Sequence, residues 1–173
     1  QFLGNLFKGF LDDGVKQSEG QYFTPLPIVK FIISSLPIKD ILSNTDDIPK
    51  VIDYACGAGH FLTEYASHVK ELCEADDLSE YYKNIYGIEK EYRLSKVAKV
   101  SCFMYGFDDI QIVYGDALET QERIKNEDYS ILIANPPYSV KGYLEVLGDE
   151  RKKYELTKYV SDLSKNNSIE PFF

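Results

Sequence analysis

Two stretches of this chain combine residue types and spacing that could do chemistry: Asn135-Pro136-Pro137-Tyr138 and Asp53-Tyr54-Ala55-Cys56-Gly57-Ala58-Gly59. The first follows Ile131-Leu132-Ile133-Ala134, an apolar run that reads as a buried strand of a parallel sheet. Its prolines stop strand and helix alike and leave the loop little unfolded-state freedom to lose. One amide side chain and one aromatic ring are thereby displayed at the carboxyl end of a strand, where ligands bind in open α/β sheets. Taken alone, the tetrapeptide reads equally well as a proline-rich turn with a packed tyrosine.

The second stretch is a strand followed by a glycine-rich turn, which lets backbone approach a ligand and points the next helix's N-terminus at it. Two further strands end in Glu89 and in Gly115-Asp116. A nucleotide-type cofactor fits this series. A carboxylate at the end of the second strand, here Glu89, can accept from both ribose hydroxyls. Asp116 is placed to accept from an exocyclic amine of adenine. Glu89 lies further from Asp53 than the ~20 residues of the dinucleotide fingerprint, and the third glycine is missing.

The elements that must position these groups follow from periodicity. Strands are expected over 51–54, 85–88, 110–114 and 129–134. Helices between them place Phe61, Leu62, Tyr65, Ala66, Val69 and Leu72 on one face, then Leu94, Val97, Ala98, Ser101 and Tyr105 on the next, with a shorter helix over about 118–125. Alternation of strand and helix means βαβ units and a parallel sheet with helices on both faces. Upstream, residues 1–16 have helical spacing. Thr24 and Pro25 read as N-cap and first position of a helix that is apolar nearly all round, and therefore buried, until Pro37. Residues 39–50 read as a loop. The organisation expected is a helical lead-in over 1–20, a core over 21–140 and a partial, weakly patterned segment over 141–173, leaving the sheet incomplete at its C-terminal end.

Composition narrows the possibilities. The 173 residues suffice for one domain with a real core. They begin with Gln1 and contain one methionine, Met104, so a piece of a longer protein is expected. No apolar run approaches the ~18 residues of a membrane span, and no signal-peptide pattern opens the chain. Cys56, Cys73 and Cys102 are odd in number and lack a Cys-x-x-Cys pairing, which argues against zinc and disulfides and fits a reducing cytoplasm. The net charge of −9 means that a nucleic-acid substrate would need much of its phosphate grip from another region or a partner. Cys56 reads as a packing residue of the turn and His68 as a solvated helix residue.

Asp53-Tyr54-Ala55-Cys56-Gly57-Ala58-Gly59-His60-Phe61-Leu62 followed by Asn135-Pro136-Pro137-Tyr138 resembles the amino-methylating adenine DNA methyltransferases. Gln21-Tyr22-Phe23-Thr24-Pro25 ahead of the glycine turn narrows the resemblance to modification subunits of type I restriction–modification systems and the related fused restriction–methylation enzymes. The likeness covers about residues 1–140 and departs at Tyr54, where the family usually has proline, and at His60, where a small residue is common.

This resemblance implies a Rossmann-like methyltransferase fold with S-adenosyl-L-methionine as cofactor and no metal. Tyr22, Phe23 and Thr24 would close over the methionine end. Asp53, Ala55, Gly57 and Gly59 would hold it, with His60 and Phe61 beside it. Glu89 would take the ribose hydroxyls, and Asp116 with Ala117 the adenine. Asn135 and Pro136 would accept the two N–H bonds of a target adenine N6, Pro137 would stiffen the loop, and Tyr138 would stack on the base after it leaves the duplex. Implied partners are double-stranded DNA, a specificity subunit or fused target-recognition domain, and a restriction subunit, in a prokaryotic cytoplasm. Three other readings stand beside this one: a methyltransferase of protein glutamine or an RNA base, a nicotinamide-binding oxidoreductase, and a fragment that only binds cofactor.

Overall fold

The computed structural model describes residues 24–44, 47–74, 76–119, 129–137 and 152–154. The chain divides into two compact units, Phe23–Pro136 and, taken together, Gln1–Tyr22 with Pro137–Phe173. All elements below belong to the first. The helix expected over 1–16, most of the one expected over 118–125 and nearly all of the segment 141–173 lie outside the described residues. Leu118 falls in a turn and Glu119 in a bend.

Four short strands are formed where expected: β1 (Val51–Asp53), β2 (Ile85–Glu89), β3 (Gln111–Tyr114) and β4 (Ile131–Leu132). They pair in parallel in the order β3-β2-β1-β4, with Val51 opposite both Ile85 and Ile131. The chain steps outward from β1 through β2 to β3, then returns to the other side of β1. That reversal opens a crevice between the carboxyl ends of β1 and β4. All three residues of β1 are buried, as a central strand covered on both faces requires.

Five helices are described. They are α1 (Leu26–Ser35), α2 (Ile38–Asn44), α3 (His60–Leu72), α4 (Ser79–Lys83) and α5 (Tyr92–Met104). The helix α3 buries Phe61, Leu62, Tyr65, Ala66 and Val69 against β1 and β2, the face its periodicity predicts. Leu72 lies at its frayed end and is partly exposed. In α5 the buried stripe is Leu94, Ser95, Ala98, Ser101 and Cys102. It is rotated from the expected one, because Tyr105 caps the helix outside it and Val97 is only half-buried. Small Ser95 and Ala98 let α5 approach the sheet and α3 closely.

Three expectations upstream of β1 are corrected. First, α1 is not buried all round. Val29 and Ile33 are fully buried against α3, whereas Ile28 is 48% and Phe31 73% exposed. Among the described residues the helix packs on α3 through the side that carries Val29 and Ile33. Second, the loop expected over 39–50 is in part a helix: Ile38–Asn44 form α2, with Ile38 buried and Ile41 and Leu42 packed on the core. Third, Thr24 does not cap α1. Pro25 occupies the cap position with φ −57° and ψ 138°, its carbonyl accepts from the N–H groups of Ile28 and Val29, and no side chain caps the helix. Pro27 takes the first turn, where a missing N–H costs nothing. A short α4 also forms ahead of β2, buried through Tyr82. No helix among the described residues is long and apolar enough to cross a membrane.

Candidate active site

The site begins where β1 stops. Asp53 is 1% exposed, and its Oδ1 accepts from the backbone N–H of Ala55 at 3.0 Å. Its Oδ2 is buried without a hydrogen-bond partner. Burial pushes the Asp53 carboxyl up from 3.8 to about 7; the Ala55 N–H opposes this and the nearby Glu89 charge adds to it. The turn that follows needs glycine at two points, because Gly57 has φ +53° and Gly59 φ +80°. A Cβ on Gly57 would meet nothing within 4 Å, so the turn faces open space there. A Cβ on Gly59 would sit 3.4 Å from that of Ala98. Gly59 is therefore also where α3 and α5 touch.

Cys56 anchors the turn on the sheet. Its N–H donates to the Ile88 carbonyl at 3.0 Å, its side chain is buried, and burial pushes its thiol well above the usual range. His60 opens α3 half-buried, and desolvation lowers its pKa. The side chain of Phe61 is part of the core, so any face it turns toward a ligand is its backbone.

Glu89 ends β2 and reaches back to the turn. Oε2 accepts from the Gly57 N–H at 2.8 Å and Oε1 from the Glu91 N–H at 2.7 Å. Burial raises its pKa, while these two N–H groups hold it down. One carboxylate thus fixes the glycine turn and the start of α5 together, and Glu91 in turn caps α5 by accepting from Leu94 at 2.7 Å. Asp116, beyond the end of β3, accepts from the Leu118 N–H at 3.0 Å through Oδ1 and pairs with Lys90 Nζ at 2.5 Å through Oδ2. Ala117 lies in the turn between them.

On the other side of β1, β4 leads into Asn135. Parallel pairing continues one residue beyond β4, where the Ile133 N–H donates to the Ile52 carbonyl at 3.0 Å. This brings the Asn135 loop beside the end of β1. The Asn135 side chain is exposed, and its Nδ2 donates to Thr24 Oγ1 at 2.9 Å. Pro136 and Pro137 are half-buried. Tyr22, Phe23 and Tyr138 lie outside the described residues. Asp53, the glycine turn, Glu89 and Asp116 are gathered along one end of the sheet, and Thr24 and Asn135 are joined directly.

Sequence reasoning missed two contributors. A Cβ on Gly87, in the middle of β2, would lie 2.6 Å from Leu62 Cδ1 and 2.9 Å from both Cys56 Sγ and Ile112 Cδ1. Gly87 is what lets the turn and α3 settle on the strand. An isolated glycine inside a strand is the signal for such close approach. Lys90, the partner of Asp116, follows Glu89 directly and reads in sequence only as a solvated lysine. No group of three or more possible metal ligands occurs among the described residues.

Known proteins resemble this chain in sequence and fold. The chain is 34% identical over 134 residues to the methylase subunit of the type I restriction enzyme MjaVII of Methanocaldococcus jannaschii, covering 75% of this chain and 20% of that one. It is 25% identical over 140 residues to the EcoEI methylase subunit of Escherichia coli, covering 79% and 27%. The chain thus spans about a quarter or less of the length of these relatives. Among solved structures, a modification subunit of a putative type I restriction enzyme from Vibrio vulnificus superposes with a TM-score of 0.62 at 21% identity, over 84% of this chain and 29% of that one. The EcoKI M protein does so with 0.51 at 25% identity, over 73% and 27%. The family model described as N-6 DNA methylase matches residues 1–170. With a match of that extent, the chain belongs to the N-6 DNA methylase family.

Proposed function

We propose that this chain carries the cofactor-binding and catalytic core of an adenine-specific DNA N6-methyltransferase (EC 2.1.1.72) of a restriction–modification system. The observation that carries the reading is the adjacency of the Asp53 turn and the Asn135 loop at the reversal between β1 and β4. One side can hold a methyl donor and the other an acceptor nitrogen.

S-adenosyl-L-methionine fits the residues present. Asp53 Oδ2 is a buried acceptor lacking a donor, suited to an ammonium group. The open space over Gly57 admits a ligand against backbone. Glu89 would accept from the ribose hydroxyls and Asp116 from an adenine amine. Tyr22, Phe23 and Thr24 would lie on the methionine side, with Ala55, Gly59, His60, Phe61 and Ala117 around it. When bound, the cofactor supplies an electrophilic methyl group on a sulfonium.

The chain's own part is to prepare the nitrogen. An adenine N6 lone pair is delocalised into the ring. The Asn135 Oδ1 and Pro136 carbonyl would accept its two N–H bonds and favour a pyramidal nitrogen whose lone pair is available. Such charge-building hydrogen bonds contribute a few kcal/mol in a water-excluded site. Tyr138 would stack on the extruded base, returning roughly 1–3 kcal/mol of the few that extrusion costs. No covalent enzyme intermediate is needed.

The domain reading is a lead-in over 1–20, a catalytic core over 21–140 and a partial segment over 141–173. Double-stranded DNA would be the substrate, in a prokaryotic cytoplasm. A specificity subunit or fused recognition domain would choose the sequence and supply basic surface to offset the charge of −9, and a restriction subunit is a further partner.

The test is methyl transfer from tritiated cofactor by the complete protein to DNA, ribosomes and release factors. Label at adenine N6 is expected; label confined to protein would sink the reading. Asn135→Ala should abolish transfer and leave cofactor binding nearly intact.

A further inference from the structure

Thr24 and Asn135 are separated by 111 residues and joined by one side-chain hydrogen bond. Each precedes a proline, Pro25 and Pro136, which disfavours helical backbone at the residue before it. The rings therefore stiffen both ends of the link. The Thr24 end is further held because α1, which starts two residues later, is anchored on α3 by the fully buried Val29 and Ile33. Gly59 of the glycine turn is in turn the N-cap of α3. Thr24 is thus tied mechanically to the donor side of the crevice, while its hydroxyl touches the acceptor side.

An amide has one donating and one accepting end, and only the accepting end can draw hydrogen-bond density from an amine. The Asn135 side chain is exposed, so water alone would not hold one orientation. Here the Thr24 oxygen accepts from Nδ2, so Asn135 Oδ1 is turned away from Thr24 and has no hydrogen-bond partner among the described residues.

We propose that Thr24 is a positioning residue for Asn135: by accepting from Nδ2 it turns Oδ1 toward the amine that is to be methylated. This rests on the methyltransferase reading and goes beyond a place for Thr24 at the cofactor. Thr24 acts through Asn135, not on the reacting atoms.

The experiment measures kcat at saturating DNA and cofactor, and cofactor Kd by calorimetry, in the complete protein with Thr24→Val and Thr24→Ser. Valine matches threonine in shape but cannot accept. Thr24→Val should lower kcat about tenfold at saturating cofactor, the scale of one oriented hydrogen bond, whatever the change in Kd. Thr24→Ser, which keeps the hydroxyl, should recover to within about threefold of the parent kcat. An unchanged kcat in Thr24→Val overturns the proposal, and so does a rise in Kd with kcat intact, which would make Thr24 a cofactor contact. A drop in kcat that serine does not rescue also overturns it, since the methyl group would then be what counts. Failure of the unsubstituted protein to methylate adenine sinks the functional reading instead.

Discussion

The backbone N–H of Gly57 donates to Glu89 Oε2 at 2.8 Å, so the carboxylate that closes β2 also holds the glycine turn that follows β1. Because Oε1 is engaged by Glu91 at 2.7 Å, both oxygens are used structurally before any ligand arrives. Glu89→Gln can accept from only one of these N–H groups and turns a donor toward the other. Leaving a buried donor unsatisfied costs about 1–3 kcal/mol. A lower thermal midpoint together with weaker cofactor binding is expected by calorimetry. Weaker binding with an unchanged midpoint would mean that Glu89 acts on ligand alone.

Asp53 links stability to pH. Its carboxyl titrates at about 7 in the folded chain and at 3.8 as an unperturbed group. Between these values the folded state binds the extra proton, so this group's contribution to stability falls as pH rises from about 4 to 7 and is flat above. The displacement corresponds to roughly 4 kcal/mol at most. Asp53→Asn should remove that slope and raise the chemical-denaturation midpoint of the ligand-free protein at pH 8.

The same carboxyl predicts a proton released on cofactor binding. An ammonium group at Oδ2 favours the charged form and pulls the pKa down from about 7. Affinity should therefore increase as pH rises toward 7 and level off above. Calorimetry at pH 7 in buffers of different ionisation enthalpy should detect a fraction of a proton leaving the protein. Proton uptake, or none, would show that Asp53 is not the group that meets the cation.

Gly87→Ala places a Cβ 2.6 Å from Leu62 and 2.9 Å from Cys56. Overpacking of this kind typically costs about 1–3 kcal/mol. Since Cys56 belongs to the turn, cofactor affinity should fall as well, and Leu62→Ala in the same chain should recover part of it. Unfolding midpoints of the single and double variants decide this.

The two sides of α1 offer a contrast within one helix. Phe31 is 73% exposed and Ile33 fully buried. Phe31→Ser should change stability by no more than about 0.5 kcal/mol. Ile33→Ala should cost about 2–5 kcal/mol.

That contrast also marks what sequence can tell. Strands β1 to β4 are legible because short apolar runs ending in Asp53, Glu89, Asp116 and Asn135 carry their own boundaries. The helix α1 reads as buried all round because hydropathy records which residues tolerate burial, not how many neighbours are supplied. The helix α3 covers the side that carries Val29 and Ile33, and Phe31 stays in water. The helix α2 is missed because seven residues are too few for a period to emerge from Ile38, Ile41 and Leu42. Asp53 and Glu89 are legible as acids at strand ends, but their hold on the turn is not. The bond from Gly57 to Glu89 joins residues 32 apart and depends on the pairing of β1 with β2.

The order β3-β2-β1-β4 also has a kinetic meaning. Val51 meets Ile85 early along the chain, but its other neighbour, Ile131, comes 80 residues later. Loop closure over such a distance is slow relative to local pairing. During synthesis, the donor half of the crevice can therefore assemble on β1 and β2 while the acceptor half is still being made. A nascent chain that has not yet docked β4 could take up cofactor, but it would have no place to present an amine.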